Sequence, residues 1–427
     1  MGSPLEEELW DRRLPGLEAL PRTFVMPHYG SYSIANVAAT VAALLGVELA
    51  DSAPPLPADL WADLADGVRC VVLLVLDGLG YLQFQHVLEG VPFFARLVER
   101  GRLIPLTSTF PSTTVTALTT LHSGQTPLEH GFVGTRLFLS AAGTLANMLR
   151  LSPLASPLQE ELLDWGWQAE QFVTVPSLES QLAAAGVECV AHTHHIYLNG
   201  GLSDILMRDA GEKNGFFGLG DLAIGLRHTL LARQHQRLFV SAYWSAIDTL
   251  GHTYGPTAES CRAELRLLGQ SLMEDLLDKL PAAARRGTVL VLVADHGQVP
   301  TPPAEAVDLS AHPLLKRMLF LPPAGESRAA YLYARPGQKE ALRDYVLEHL
   351  SDRFTLLETD RALEAGLFGP PTADLELRGR LGDWLLLAHG NSRLVGEEEK
   401  NLKMYGHHGS LLAEEMLVPL LMVRLDD

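Results

Sequence analysis

The chain predicts an α/β fold: a mostly parallel central sheet with helices on both faces, plus a small inserted α/β lobe. Three stretches carry that prediction. Cys70-Val-Val-Leu-Leu-Val-Leu76, Arg237-Leu-Phe-Val-Ser-Ala-Tyr243 and Thr288-Val-Leu-Val-Leu-Val-Ala294 are near-continuous apolar runs. Such runs mark strands buried on both faces, the situation in parallel sheets. Amphipathic segments alternate with them, as a layered α/β domain requires. An acid closes or follows each run (Asp77, Asp248 and Asp295), and in open α/β sheets ligands bind beyond the carboxyl ends of the strands.

In order along the chain, Ser33 to Gly46 predicts a helix, with Ile34, Val37, Val41 and Leu44 on one face. The proline-rich stretch Asp51 to Asp63 predicts a loop before the first strand. Pro111-Ser112 reads as a turn; from Thr114 the pattern turns helical through Leu118 and Leu121, stopping at Gly124. A hydroxyl at a helix start ordinarily caps free amides. The same amides and the helix dipole also favour an incoming phosphate, so Thr114 doubles as a candidate nucleophile once something activates its hydroxyl.

Ser177 to Gly186 predicts a short helix and Val187 to Ala191 a strand, after which His192, His194 and His195 read as a polar strand end. Asp248 and His252, four residues apart, share one face of a helix. Thr257 to Leu280 predicts one long amphipathic helix. Beyond the prolines at 300–303, strands at Arg328–Tyr333, Phe354–Leu357 and Asp383–Ala388 and a helix at Gln338–Leu350 predict the lobe, and Glu397-Glu398-Glu399 a solvated loop. The chain returns through Gly406-His407-His408-Gly409 to a last strand, Met416–Met422. These limits divide it into a catalytic core (23–307 and 401–427), an inserted cap lobe (308–400) and an N-terminal extension (1–22).

Of the 427 residues 47% are apolar and 20% charged, a well-packed globule. The 33 basic and 51 acidic residues give −18, which argues against binding nucleic-acid polymers or anionic membranes through a basic surface. A phosphate substrate stays open, because bound cations invert a local field. Cys70, Cys189 and Cys261 are scattered and odd in number, which predicts reduced, buried thiols. Met1 to Leu17 has no apolar leader segment, and no run approaches the roughly 18 apolar residues of a membrane span. A soluble, cytoplasmic protein is expected.

Asp77, Thr114, Asp248, His252, Asp295, His296 and His408 then form one candidate set. Three carboxylates and three imidazoles suit zinc, with manganese as the alternative. Six such ligands are too many for one tetrahedral ion and right for two, a pair that clamps the attacking and leaving oxygens of a phosphoryl transfer.

In this order the motifs Leu76-Asp77-Gly78, Pro111-Ser112-Thr113-Thr114, Asp248-Thr-Leu-Gly-His252, Ala294-Asp295-His296-Gly297 and His408-Gly409 resemble the type I phosphodiesterase/nucleotide pyrophosphatase family of the alkaline-phosphatase superfamily. The resemblance covers about Cys70 to Gly297 and His407 onwards. It implies an alkaline-phosphatase-like fold and a hydrolase acting through a covalent phospho-threonine at Thr114. It implies one zinc on Asp248, His252 and His408, and another on Asp77, Asp295, His296 and the Thr114 oxygen. It implies that Tyr243 stacks a nucleobase and that Thr135 stands where the family holds a phosphoryl oxygen with asparagine. The residue after the nucleophile, often aromatic in nucleotide-cleaving members, is Val115 here. The expected partner is a small phosphate ester, nucleotides among the candidates. The alternatives are a phosphomonoesterase or phosphomutase of the same superfamily, for which Arg136 is the available cation, and a non-catalytic metal-dependent phosphate binder. The lobe, entering between His296 and His408, is expected to cover the leaving group and set selectivity.

Overall fold

A computed structural model describes residues 3–88, 90–371, 374–396 and 403–426; the loop expected at Glu397–Glu399 lies outside them. The central sheet has seven strands in the order Arg102–Thr107, Leu417–Arg424, Thr288–Val293, Cys70–Leu76, Leu238–Trp244, Glu188–His194, Glu212–Phe216. The last five are parallel; Leu417–Arg424 runs against both of its neighbours. Every residue of Cys70–Leu76 and Thr288–Val293 is buried, which is why their sequences show no alternation. Register aligns Leu76 with Trp244 and Val75 with Val293, so Asp77 and Asp295 emerge at the same rim.

The helix expected from Thr114 spans Thr114–Ser123 and ends at Gly124, whose φ of +72° suits glycine. The long helix expected at 257–280 is shorter: Glu259–Ser271 is α-helical and passes into a π-helical stretch at Leu272–Leu277. Its apolar periodicity continues through this change of pitch, which hides it from a pattern reading.

A second seven-stranded sheet, antiparallel throughout, has the order Phe354–Glu358, Trp384–Ala388, Ala329–Leu332, Ala324–Gly325, Arg136–Leu139, Thr144–Asn147, Ser152–Pro153. The segment expected as a separate lobe therefore shares its sheet with strands at 136–153. One face of that sheet belongs to the main core, through Ala329, Tyr331, Leu385 and Leu387. A smaller apolar cluster on Leu315, Leu342, Val346 and Phe354 covers the other face. The segment expected as an extension also packs inward, with Leu9, Leu14, Leu17 and Leu20 in the main core.

One buried ion pair ties the two sheets together. Arg328 donates from Nε and Nη2 to Glu415 (2.9 and 3.1 Å) and from Nη1 to the carbonyls of Gly390 and Ser392. Both side chains are fully buried, and removing one partner would strand the other's charge. No described helix is long and apolar enough to cross a membrane.

Candidate active site

Five loops at the carboxyl rim of the central sheet supply the site. Asp77 follows its strand and is buried, and Gly78 follows it with φ +74°. Glycine is required here because a Cβ at position 78 would lie 2.8 Å from both Cα and Cβ of Asp248. Asp248 and His252 share one face of the helix Ala246–Tyr254, with His252 Nε2 3.4 Å from Asp248 Oδ1. Asp295 Oδ1 accepts from the amides of Gly78 (3.1 Å) and His296 (2.9 Å). Thr114, in the first turn of its helix, places Oγ1 3.1 Å from His296 Nε2. All seven expected residues thus come together.

The chemistry of this cluster fits divalent cations. Nδ1 of His252, His296 and His408 faces the carbonyls of Gly406 (2.7 Å), Gly297 (3.0 Å) and Ser112 (2.8 Å). A carbonyl only accepts, so each Nδ1 carries the proton and each Nε2 presents a lone pair, the arrangement found behind metal-ligating histidines. His408 Nε2 and His252 Nε2 stand 3.2 Å apart, two lone pairs that repel unless a cation sits between them. Asp77 Oδ1 and Asp295 Oδ2 are buried without a hydrogen-bond partner. Burial, then the facing Asp295 and Asp248 charges, pushes Asp77 well above the usual carboxylate range. Burial raises Asp295 as well, and burial with the neighbouring His296 and His252 drives His408 well below an ordinary imidazole. Candidate ligand atoms fall within 4.8 Å of one another in two groups, Asp248–His252–His408 and Asp77–Asp248–His296. Asp248 belongs to both, although the family pattern assigns it to one.

Several positioning residues escaped the sequence reading. Ser112 binds the His408 loop three ways: its carbonyl meets His408 Nδ1, its Oγ donates to Ser410 O (2.9 Å) and accepts from Gly409 N (3.2 Å). Gln298 donates to the Asp248 carboxylate (2.5 Å) and its backbone carbonyl (3.0 Å). Ser112 lies within the Pro111–Thr114 motif and Gln298 directly after Gly297, but nothing in the sequence assigns either side chain its partner.

Tyr243 lines the cavity beside Thr114, and its hydroxyl donates to Asp77 Oδ2. It thus orients a carboxylate in addition to offering a ring face. Thr135 is not part of that cavity wall: its hydroxyl meets Thr113 Oγ1 at 3.2 Å and its amide donates to Glu326 (2.6 Å). His192, on its strand, is neutral, its pKa held down to about 4 by burial, with Nε2 3.0 Å from Thr229 Oγ1.

The cavity has a volume of about 690 Å³ and reaches from Asp77, Thr114 and Asp248 to walls built from 149–160 and 192–207. No described residue of 308–400 lines it. The expectation that the inserted lobe covers the leaving group is therefore corrected: that lobe's strands are committed to the second sheet, and the polar stretches after Asn147 and His192 form the wall instead.

A doubly wound sheet whose strand ends converge on a helix-borne threonine among carboxylates and imidazoles defines a phosphoester hydrolase of the alkaline-phosphatase superfamily. Within it, the chain belongs to the type I phosphodiesterase / nucleotide pyrophosphatase family, whose sequence model matches residues 71–411. Murine ectonucleotide pyrophosphatase/phosphodiesterase 5 has a similar structure (TM-score 0.62, 16% identity, 82% of this chain and 87% of that one). So does its inactive threonine-to-alanine variant in complex with AMP (0.60, 15%, 82% and 87%). Phosphonoacetate hydrolase from Sinorhizobium meliloti 1021, in complex with phosphonoformate, is similar too (0.60, 18%, 84% and 90%). At these identities the likeness is one of fold. No curated protein sequence matches the chain significantly.

Proposed function

We propose that the protein hydrolyses phosphodiester or pyrophosphate bonds of a small substrate through a covalent phospho-threonine on Thr114. One observation carries this reading: Thr114 Oγ1 stands at a helix N-terminus, in the wall of a large cavity, 3.1 Å from His296 Nε2. Two divalent ions, zinc first and manganese second, would be held by Asp248, His252 and His408 and by Asp77, Asp295 and His296 with the Thr114 oxygen. When bound, such ions supply Lewis-acid stabilisation and make a hydroxyl nucleophilic at neutral pH.

The chain's own groups do the rest. Thr114 Oγ forms a bond to phosphorus as the bond to the leaving oxygen breaks, and the hydroxyl proton passes to solvent. Water then attacks the phosphorus from the vacated side, the Oγ–P bond breaks and the hydroxyl takes a proton back. Helix-start amides favour the phosphoryl oxygens throughout. Ser112 and Gln298 keep His408 and Asp248 in register.

A diester is favoured over a monoester because no cationic side chain follows the nucleophile, where buried Val115 stands. Arg136 Nε donates to the carbonyl of Gly325 (3.2 Å), so this guanidinium is partly engaged elsewhere. A 690 Å³ cavity exceeds what a compact phosphonate needs and supports an ester with a sizeable organic group, AMP-like nucleotides included. A cytoplasmic site of action is supported by Cys70, Cys189 and Cys261, all buried and unpaired.

The test is turnover of bis(p-nitrophenyl) phosphate against p-nitrophenyl phosphate by metal-loaded enzyme. Thr114→Ala should lower the diester rate by about three orders of magnitude. Acid quenching of wild type turning over bis(p-nitrophenyl) phosphate should trap a p-nitrophenyl phosphoryl group on the peptide that contains Thr114. Retention of activity within tenfold by that variant refutes the assignment, and a preference for the monoester supports the phosphatase alternative. Metal and phosphate binding with no turnover of either ester would make the protein a binder.

A further inference from the structure

The helix that starts with Thr114 carries a second polar group into the same cavity. Thr114, Leu118 and His122 lie at four-residue intervals on it, and all three line the cavity wall. Eight residues of helix rise about 12 Å, so His122 marks a point about 12 Å along the wall from the nucleophile, with apolar Leu118 between them.

His122 is built into its place. Its Nδ1 lies 2.7 Å from Glu179 Oε1, and Glu179 is only 1% exposed. Burial alone would lower His122, but the Glu179 carboxylate against one ring nitrogen raises it above its usual value, which favours the imidazolium. In the imidazolium, Nε2–H is the ring's remaining donor, in a residue that forms part of the wall.

Arg150 lines the same wall. Its Nη1 is engaged by the Ser156 carbonyl at 2.9 Å, and a guanidinium has further N–H groups. Away from Asp77 and Asp248 the acid in this wall is Glu160, whose Oε1 accepts from the Gly201 amide (2.5 Å). Away from the catalytic carboxylates the cavity wall therefore offers the donors of two basic side chains, His122 and Arg150, with Glu179 and Glu160 as their acidic neighbours.

Resting on the phosphodiesterase reading above, we propose that His122 (backed by Glu179) and Arg150 form a subsite for an anionic oxygen group on the substrate's organic substituent. That group, a carboxylate or a second phosphate, would sit about 12 Å from the reacting phosphorus. The substituent's middle would lie against Leu118, which stands between Thr114 and His122 on the helix, with Leu202 and Leu206 also in the cavity wall. The natural substrate is then an ester or pyrophosphate with a terminal acid, and a short ester such as bis(p-nitrophenyl) phosphate fills only the near half of the site.

The test compares p-nitrophenyl ω-carboxyalkyl phosphates of increasing length with alkyl esters of the same length, and ω-phosphoalkyl esters with both. In wild type, kcat/KM should favour the acid-bearing ester by about tenfold or more at one chain length, as expected for one charge-assisted hydrogen bond. Shorter chains should show no such preference. His122→Gln and Arg150→Met should each reduce the ratio at that length several-fold. The double variant His122→Gln/Glu179→Gln, which strands no buried carboxylate, covers the case in which the single variant misfolds.

Binding is read separately, by titrating metal-loaded protein with the matching non-hydrolysable alkyl phosphonates with and without the terminal acid. If neither ester turns over but the acid-bearing phosphonate binds about tenfold tighter, the subsite stands and the phosphodiesterase reading falls. If the esters turn over with a ratio near one at every length, the subsite is refuted and the phosphodiesterase reading survives. A preference that survives intact in both folded His122 variants and in Arg150→Met would also refute it. Preference for the carboxyl series or for the phosphate series identifies which acid the subsite reads.

Discussion

Gly78→Ala adds one carbon where the strand of Asp77 passes the helix of Asp248. Two costs follow. The backbone at position 78 has φ +74°, and an L-residue in that region costs about 1–2 kcal/mol. The new Cβ would also sit 2.8 Å from Asp248 Cα and Cβ, whereas carbon atoms pack at about 3.5–4.0 Å. The gap must open by about 1 Å, and it cannot open at Gly78, whose amide is bonded to Asp295 Oδ1. The yielding part is the Asp248–His252 helix, which carries two of the candidate ligands. A displacement of about 1 Å in a reacting constellation costs about a hundredfold in rate. We therefore expect kcat/KM on bis(p-nitrophenyl) phosphate to fall about a hundredfold, while chemical denaturation shows a loss of only about 1–2 kcal/mol. Activity within threefold of wild type would mean that the close approach is slack and the argument wrong. A collapse of stability with normal activity in the folded fraction would assign Gly78 to folding instead.

Other expectations follow from the same geometry. Asp295→Asn removes charge from a buried carboxylate whose Oδ2 has no hydrogen-bond partner, and should lower metal content measured on purified protein by about one ion per chain; full occupancy would make Asp295 a loop cap. His192 stays neutral in the fold, with a pKa of about 4, and titrates near 6.5 when unfolded. The unfolded chain then binds more protons as pH falls, so the contribution of His192 is complete above about pH 7 and lost between about 6.5 and 4. At pH 5 its share of the loss is about 2 kcal/mol, and His192→Gln should shrink the difference in denaturation midpoint between pH 7.5 and pH 5 accordingly. An unchanged difference would show that His192 is protonated within the fold.

The sequence exposes those parts of the site that depend on local chemistry. Cys70–Leu76 and Thr288–Val293 announce themselves because burial on both faces leaves no polar position, and the acids at their ends stand out against that background. Asp248 and His252 are legible through helix period alone. What stays hidden depends on contacts between distant segments. Arg136–Leu139 pairs through Ala324–Gly325 with strands nearly two hundred residues later, and a strand of two or four residues has no periodicity to reveal its partner. For the same reason the cavity wall is hidden in the sequence: nothing within 192–207 says that it lines the cavity beside Thr114. In the sequence Tyr243 offers only a ring, and its position opposite Asp77 reveals the work of its hydroxyl.

The place of Leu417–Arg424 between Arg102–Thr107 and Thr288–Val293 has a bearing on how the protein is made. A ribosome delivers this strand last among those of the central sheet, yet it occupies an interior position. Until it emerges, Thr288–Val293 presents an unpaired apolar edge and Arg102–Thr107 has no neighbour in the sheet. Such an edge is a template for mispairing with other chains. The same strand is preceded by Ser410 and Glu415, which anchor the His408 loop and the Arg328 ion pair. A nascent chain thus lacks the anchors of the His408 loop and exposes a sheet edge prone to mispairing until Leu417–Arg424 docks.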